Sequence, residues 1–464
     1  MIRFASEALD KWLKNPNRKP MVIRGARQVG KTWLVRDLAI RHEFQLIELN
    51  FERLPSLSDL FAENDPAKIL RNIEAELGTS IEPDSSLIFL DEIQAAPQLL
   101  SKLRWFREDM PQLPVIAAGS LLDFALSKYQ YSMPVGRITY FHLEPMSFFE
   151  FFMATGNQAL CNKLSSFNPE TKLPESLHEK CLGLYHDYCL VGGMPEVVQE
   201  WIDSKNLKSC IKIQQDLLAT YRDDFHKYGG EMEAVLLNRI LLSVSEQLGN
   251  KFVYSRVDSA KKVVKVKNAL SMLCRAKVCT SVLHTAGNGL PLGAESNDKF
   301  FKAIMVDIGL VSAQMGLSST SRGEAKNIIF SNKGGLAEQF VGQQLRAAQA
   351  PFAEPWLFYW QTTGGRQGEI DYIIQHGNRI VPVEVKSGAT GSMKSLHHFM
   401  AQKHLDFAVR CNVNQPSLEN ISVKTTLGQS VSYRLLSIPL YLTERLDGLI
   451  QHSLENFTTQ TPST

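Results

Sequence analysis

The chain has no CxxC pair, no Gly-x-Ser-x-Gly elbow, no internal repeat, almost no low-complexity tract and no apolar run approaching the length of a membrane span. Each lack removes a class of protein. Seven cysteines, odd in number and scattered from Cys161 to Cys411, argue against a disulfide framework or a zinc knuckle and fit reduced thiols in a cytoplasmic protein. The charged N-terminus MIRFASEALDKWLKNPNRK lacks the apolar stretch of a secretory signal, and no membrane partner is expected. Without the elbow, serine hydrolase chemistry has no support. Among eleven histidines only His397 and His398 are adjacent, and neighbours on a helix point about 100° apart, which suits no shared ion. Charge bias is missing too: 50 basic residues against 48 acidic leave a net +2, so any nucleic-acid contact has to rest on a local patch.

What remains is an ordinary globular composition, 44% apolar and 21% charged, in a chain of 464 residues. That length points to two to four domains. Residues 5–14 read as an amphipathic helix, and MVIRG, FQLIELN, SSLIFLDEIQ, LPVIAAGS and ITYFHLEP read as strands alternating with helical segments. The first part, residues 1–155, is therefore α/β with a mostly parallel sheet. Residues 156–235 read as a helical linker or lid, broken at GGMPE and at KYGGE; residues 236–295, with the helix VKVKNALSMLCRAKV and the run VCTSVLH, resemble a winged-helix module. Residues 296–450 hold the helix LAEQFVGQQLRAAQ and strands at LFYWQT, GEIDYIIQ, RIVPVEVKS and DFAVRCN, and 451–464 is expected to be a disordered tail.

Gly25, Gly30, Lys31 and Thr32 satisfy G-x-x-x-x-G-K-[ST] between an apolar strand and a helix. Such a loop aims backbone N–H groups and a helix N-terminus at the phosphates of ATP, Lys31 reaches the β and γ oxygens, and Thr32 offers its hydroxyl to Mg²⁺. Arg27, inside the loop, adds to its positive field, and Trp33 follows Thr32; both count among the candidate nucleotide contacts. Downstream, LIFLDEIQ ends a strand with Asp91, suited to the Mg²⁺ shell, and Glu92, suited to orienting the attacking water; a helix cap is the plainer reading. Ser120 in IAAGSLLD either bonds the water or γ-phosphate from a neighbouring strand or caps a helix. Arg137 either touches a γ-phosphate in its own or a neighbouring subunit, or is a structural ion-pair residue.

GARQVGKT, IFLDEIQ, AAGSLLDF and VGRITYFHLEPMSFFEF together resemble the AAA-type ATPase domain of widespread prokaryotic proteins that join such an ATPase to a C-terminal domain of uncharacterised function. YRDDF, VDIGLVS, GGLAEQFVGQQL, FYWQTTGGRQGEIDYII and VPVEVKSG resemble that family's later stretches, so the likeness runs from about 18 to 410. The resemblance implies a P-loop NTPase core and ATP hydrolysis, with no settled biological task.

In GEIDYII, Glu369 and Asp371 share one face of a strand; in IVPVEVKS, Glu384 and Lys386 do likewise. If the hairpin register brings the runs opposite one another, Asp371, Glu384 and Lys386 meet, and two carboxylates beside a lysine can hold a divalent metal and polarise a water for phosphodiester attack. The bland alternative pairs Glu369 with Arg366 or Arg379, and Lys386 with Glu384, as surface ion pairs. The residues resemble the D…ExK signature of the PD-(D/E)xK restriction-endonuclease-like fold, also seen in archaeal Holliday-junction resolvases, and in that fold an acid on a preceding helix completes the metal site. Glu338 is the matching position, which implies metal ligation by Glu338, Asp371 and Glu384 and catalysis with Lys386.

Lys261, Lys262, Lys265 and Lys267, with Val264, Ala269 and Leu273 packing inward, make either a DNA-facing stripe or a solvated face. Three functions follow: an ATPase coupled to a nuclease-like domain on DNA, a nucleotide-gated platform without catalysis, and a signalling ATPase acting on a protein partner or as a homo-oligomer.

Overall fold

The computed structural model describes every residue except 121, 123–133, 135, 318–333, 363–367, 389–390 and 459–464, and gives the backbone alone for 225–232 and 456–458. Two units are distinguished: Met1–Pro145 with Ser271–Val278 and Gln349–Pro355, and Met146–Leu270 with Cys279–Ala348 and Trp356–Thr464.

The first unit is built on five parallel strands, β1 (Met21–Arg24), β2 (Gln45–Asn50), β3 (Ser86–Asp91), β4 (Val115–Ala118) and β5 (Thr139–His142), in the order β2-β3-β4-β1-β5. β3 and β4 are buried along their whole length, which is why their sequences read as continuous apolar runs rather than alternations. The connecting helices start and stop on local chemistry. Asp65 caps the helix Pro66–Leu77 by accepting the N–H of Ala67, and Gly78 ends it in the left-handed region. Its residues Ile69, Leu70 and Ile73 join Val22, Leu49, Ile88 and Leu90 in the core.

The second unit carries an eight-stranded mixed sheet: β6 (Cys279–Thr285), β7 (Ser296–Met305), β8 (Leu357–Gln361), β9 (Glu369–His376), β10 (Arg379–Val385), β11 (Phe407–Asn412), β12 (Ser417–Lys424) and β13 (Ser430–Pro439). The order is β12-β13-β11-β10-β9-β8-β6-β7. β8, β9 and β10 run antiparallel in succession, and β11 lies parallel to β10. The helix Gly335–Ala347 precedes β8, and Lys394–Lys403 lies between β10 and β11. MSFFEFF forms part of the core, as expected: Phe148, Phe151 and Phe152 are buried, with Tyr188 edge-on to Phe148 and Phe151.

Four expectations are corrected. The helix Leu207–Glu246 runs unbroken through KYGGE, because two glycines weaken a helix by only about 1 kcal/mol each and forty residues of context outweigh them. The run VCTSVLH is not the wing of a separate module over 236–295: it is β6, paired with β7 and β8 inside the large sheet, and a boundary at 295 cuts between two hydrogen-bonded strands. Alternation reports that a strand has a buried face and says nothing of its partner. A helix over Leu446–Thr458 occupies most of the expected tail, with Leu446, Leu449 and Ile450 buried; residues 459–464 lie outside the described residues. Val264 is 67% exposed, and Val266, Ala269, Leu270 and Leu273 form the buried face of its helix instead. No helix of the described residues is long and apolar enough to cross a membrane.

Candidate functional site

The glycine-rich loop leaves β1 at Arg24 and delivers the chain into the helix Lys31–Arg41. Gly30 caps that helix with φ of 93°, and Gln28 also has positive φ (66°), backbone conformations that a nest of loop amides around an anion requires. A side chain at Gly25 would put a Cβ 2.4 Å from the carbonyl oxygen of Leu143, so only glycine allows the loop to pass this close to the strand end. Lys31 is 9% exposed, and its ammonium donates to the carbonyls of Gly25 (3.2 Å) and Ala26 (2.8 Å). Burial pushes that ammonium down to about 8, against the opposing pull of Glu92 and Asp91.

Asp91 ends β3, and the Thr32 hydroxyl donates to its carboxylate at 3.3 Å, joined by the Asn50 amide at 3.2 Å. Burial, with Glu92 and Glu48 adding repulsion, pushes Asp91 up to about 6. Glu92 follows in the left-handed region, half-buried, and accepts the Gln94 side-chain amide at 2.5 Å. Ser120, 2% exposed, follows β4, the strand between β1 and β3. Thr32, Asp91, Glu92 and Ser120 thus gather at the C-terminal edge of the sheet, where the loop lies. The oxygen donors of Thr32 and Asp91 fit a hard cation such as Mg²⁺. Arg27 lies 3.8 Å from Glu52, and Trp33 is 39% exposed in the first turn of the helix.

Arg137 does not belong to its own phosphate site. Thr139 pairs with Met21 and His142 with Arg24, so Arg137 sits at the opposite edge of the sheet, on the order of 15 Å from the loop at the strand rise per residue. Its guanidinium bonds Glu108 at 2.7 Å. The sequence pattern, in turn, overlooked Arg3. That side chain is 6% exposed and donates to the carbonyls of Val29 (2.9 Å) and Glu144 (2.7 Å), bracing the loop from outside its motif. Nothing local in MIRF signals this.

In the second unit the hairpin register delivers the expected meeting. Val383 pairs with Tyr372, so the next rung sets Glu384 across from Asp371. Asp371 accepts the N–H of Val385 at 2.7 Å, and Lys386 donates to Glu384 at 2.6 Å. Glu338, Glu369 and Asp371 each place a carboxylate oxygen within 4.8 Å of the others. Burial, reinforced by Asp371, holds both Glu338 and Glu384 well above the usual carboxylate range, and burial raises Glu369 as well. Glu384 is 5% exposed, and its Oε2 has no hydrogen-bond partner among the described residues.

The residue that pattern reading missed is Lys302 of β7. Its ammonium donates to Glu338 (2.8 Å), to Asp371 (3.4 Å) and to Glu369. Burial opposes the charge, yet Glu338, Asp371 and Glu369 hold Lys302 well above the ordinary lysine range. A lysine inside the apolar strand KFFKAIMV was the available signal. The surface ion-pair alternative fails in part: Arg379 pairs with Asp406, Glu369 with Lys302, and Arg366 lies outside the described residues. Of the basic row, Lys261 and Lys262 precede the helix Val263–Arg275, while Lys265 and Lys267 are exposed on it and Lys267 contacts Asp298 at 3.2 Å, so the four do not form one helical stripe.

Residues 17–152 match the family model of the AAA domain. An AAA-type P-loop ATPase domain forms the N-terminal part of this chain. Such a domain implies ATP, with Mg²⁺, as its ligand. Residues 182–321 and 333–436 match two domains of unknown function, DUF8612 and DUF4143. No curated protein matches the chain. The solved structure of C. elegans PCH-2 is similar at 13% identity and a TM-score of 0.25 over 47% of this chain and 66% of that one, so the present chain spans just under two thirds of the PCH-2 chain. The AAA-type domain is followed by the helical and β-sheet regions of the second unit.

Proposed function

We propose that the chain hydrolyses ATP at the Gly25–Thr32 loop and that residues 296–450 are a PD-(D/E)xK restriction-endonuclease-like domain that cleaves DNA with a divalent ion held by Asp371 and Glu384. For hydrolysis, Glu92 orients the attacking water, Lys31 leaves the carbonyls of Gly25 and Ala26 for the triphosphate, and Ser120 hydrogen-bonds from the strand between. Mg²⁺, held through Thr32 and Asp91, supplies charge neutralisation on the phosphates. Arg137, out of reach of its own phosphates, serves a neighbouring copy of the chain. For cleavage, the succession of helix, three antiparallel strands, helix and a fourth strand parallel to the third supports the fold, and Lys386 polarises the water.

The observation that carries the second half is the buried, unpartnered Oε2 of Glu384 beside Asp371. A carboxylate oxygen removed from water without a donor is costly unless a cation or proton reaches it. The test measures ATP turnover alongside cleavage of branched, single-stranded and duplex DNA with Mg²⁺ or Mn²⁺, with and without ATP. Lys31→Ala and Glu92→Gln are expected to lose hydrolysis by roughly 10²–10³-fold. Asp371→Ala is expected to abolish cleavage and keep ATP turnover; cleavage undiminished in that variant discards the proposed nuclease site.

One observation favours a second reading, a nucleotide-gated or signalling ATPase whose C-terminal sheet is a platform: Lys302 already sits among three of the acids. On that reading Glu384→Ala and Lys386→Ala change little, and a protein partner, rather than DNA, stimulates ATP hydrolysis.

A further inference from the structure

Lys302 has three N–H donors and no acceptor, and three carboxylates take them: Glu338 Oε2 at 2.8 Å, Asp371 Oδ1 at 3.4 Å and Glu369 Oε1. The lysine is 3% exposed, and the Tyr359 ring lies 5.5 Å from its nitrogen. An ammonium this buried, with every donor used, is a resident cation. It occupies the one group of acids, among the described residues, whose oxygens are close enough together to be shared by an ion.

The other side of Asp371 differs. Its Oδ2 is held by the Val385 N–H, and across the hairpin Glu384 gives Oε1 to Lys386 while Oε2 has no partner. Lys302 is thus committed to Glu338, Glu369 and Asp371, whereas Lys386 meets Glu384 through Oε1 alone and leaves Oε2 open. Oxygen donors of this kind suit Mg²⁺ or Mn²⁺.

We infer that Lys302 is a built-in second cation of the carboxylate site, so that the site takes one divalent ion, on the Asp371–Glu384 side, and not two. This rests on the metal-site reading proposed above. Lys302 is then a positioning residue: it ties up Glu338 and Glu369 and fixes Asp371 for an ion it does not itself touch.

The experiment titrates Mn²⁺ into the nucleotide-free full chain and counts bound ions by electron paramagnetic resonance and calorimetry, in an Asp91→Asn background so that the phosphate-loop side adds none. The expected count is one ion per chain. Glu384→Gln is expected to lose it, Glu369→Gln to keep it, Lys302→Arg to keep it, and Lys302→Met to gain a second ion in the vacated nest. Two ions on the starting chain, a folded Lys302→Met that still binds one, or loss with Glu369→Gln but not with Glu384→Gln each overturns the role of Lys302 while leaving the metal site standing. Absence of Mn²⁺ from every variant removes the metal site and this role together. Should Lys302→Met not fold, the two glutamate variants decide alone.

Discussion

Among the described residues two buried lysines, Lys31 and Lys302, sit beside carboxylates, and their surroundings treat them in opposite ways. Lys31 is held by backbone carbonyls with Asp91 and Glu92 as its nearest acids, and burial wins: its ammonium is pushed down to about 8. Lys302 is just as buried, yet three carboxylates around it win over desolvation and hold its charge firmly. The difference separates a cation that waits for a ligand from one whose ligands are already in place. Lys31 keeps its proton only below about 8 and has two backbone carbonyls as partners; Lys302 has three carboxylates.

The largest test of that contrast is stability. Lys302→Met leaves three carboxylates without their cation and is expected to destabilise the second unit by about 3–5 kcal/mol in denaturant unfolding. Lys31→Met removes only bonds to two carbonyls and is expected to cost about 1 kcal/mol or less in the first unit. Equal losses would erase the distinction. A smaller effect concerns the brace on the loop. Arg3→Met removes donors from the carbonyls of Val29 and Glu144 and is expected to weaken ATP binding by about 1–3 kcal/mol without changing which residue carries hydrolysis; an unchanged ATP affinity by calorimetry would show that the loop holds its shape unaided.

The smallest effect is one of pH and sharpens the comparison most finely. In the nucleotide-free chain Lys31 loses its proton above about 8, so binding a triphosphate there requires proton uptake. ATP affinity is therefore expected to be flat below pH 8 and to weaken by up to about tenfold per pH unit above it, until the proton can no longer be recovered. Calorimetry in two buffers of different ionisation enthalpy checks the sign. Mn²⁺ binding at the carboxylates is expected to show no such loss over the same range, because Lys302 keeps its charge.

How far each site was legible follows from how far apart its parts lie in the chain. Gly25 to Thr32 are contiguous, and a strand, a turn and a helix are set by neighbours a few residues away, so the motif carried nearly all of its own geometry. Asp91 was also readable, since an acid at the end of a buried apolar run has to emerge at the strand's C-terminal edge. Arg137 was harder: its type suggested a phosphate contact, and only the pairing of β5 with β1 shows that it stands at the wrong edge of the sheet to reach its own loop. The hairpin of β9 and β10 was legible through its period of two, which put Asp371 and Glu384 on one face once the register was known.

The sequence by itself determined the phosphate loop, the five-strand α/β core and the facing acids of the hairpin, because each depends on residues close in the chain or on a periodicity that a window can count. Tertiary structure alone decided that β6 and β7 belong to the large sheet and that Lys302, separated by 36 residues from Glu338 and by 69 from Asp371, fills the space between them. Strand pairing at a distance is chosen by which edge is open and which face is buried, and no local pattern encodes that choice.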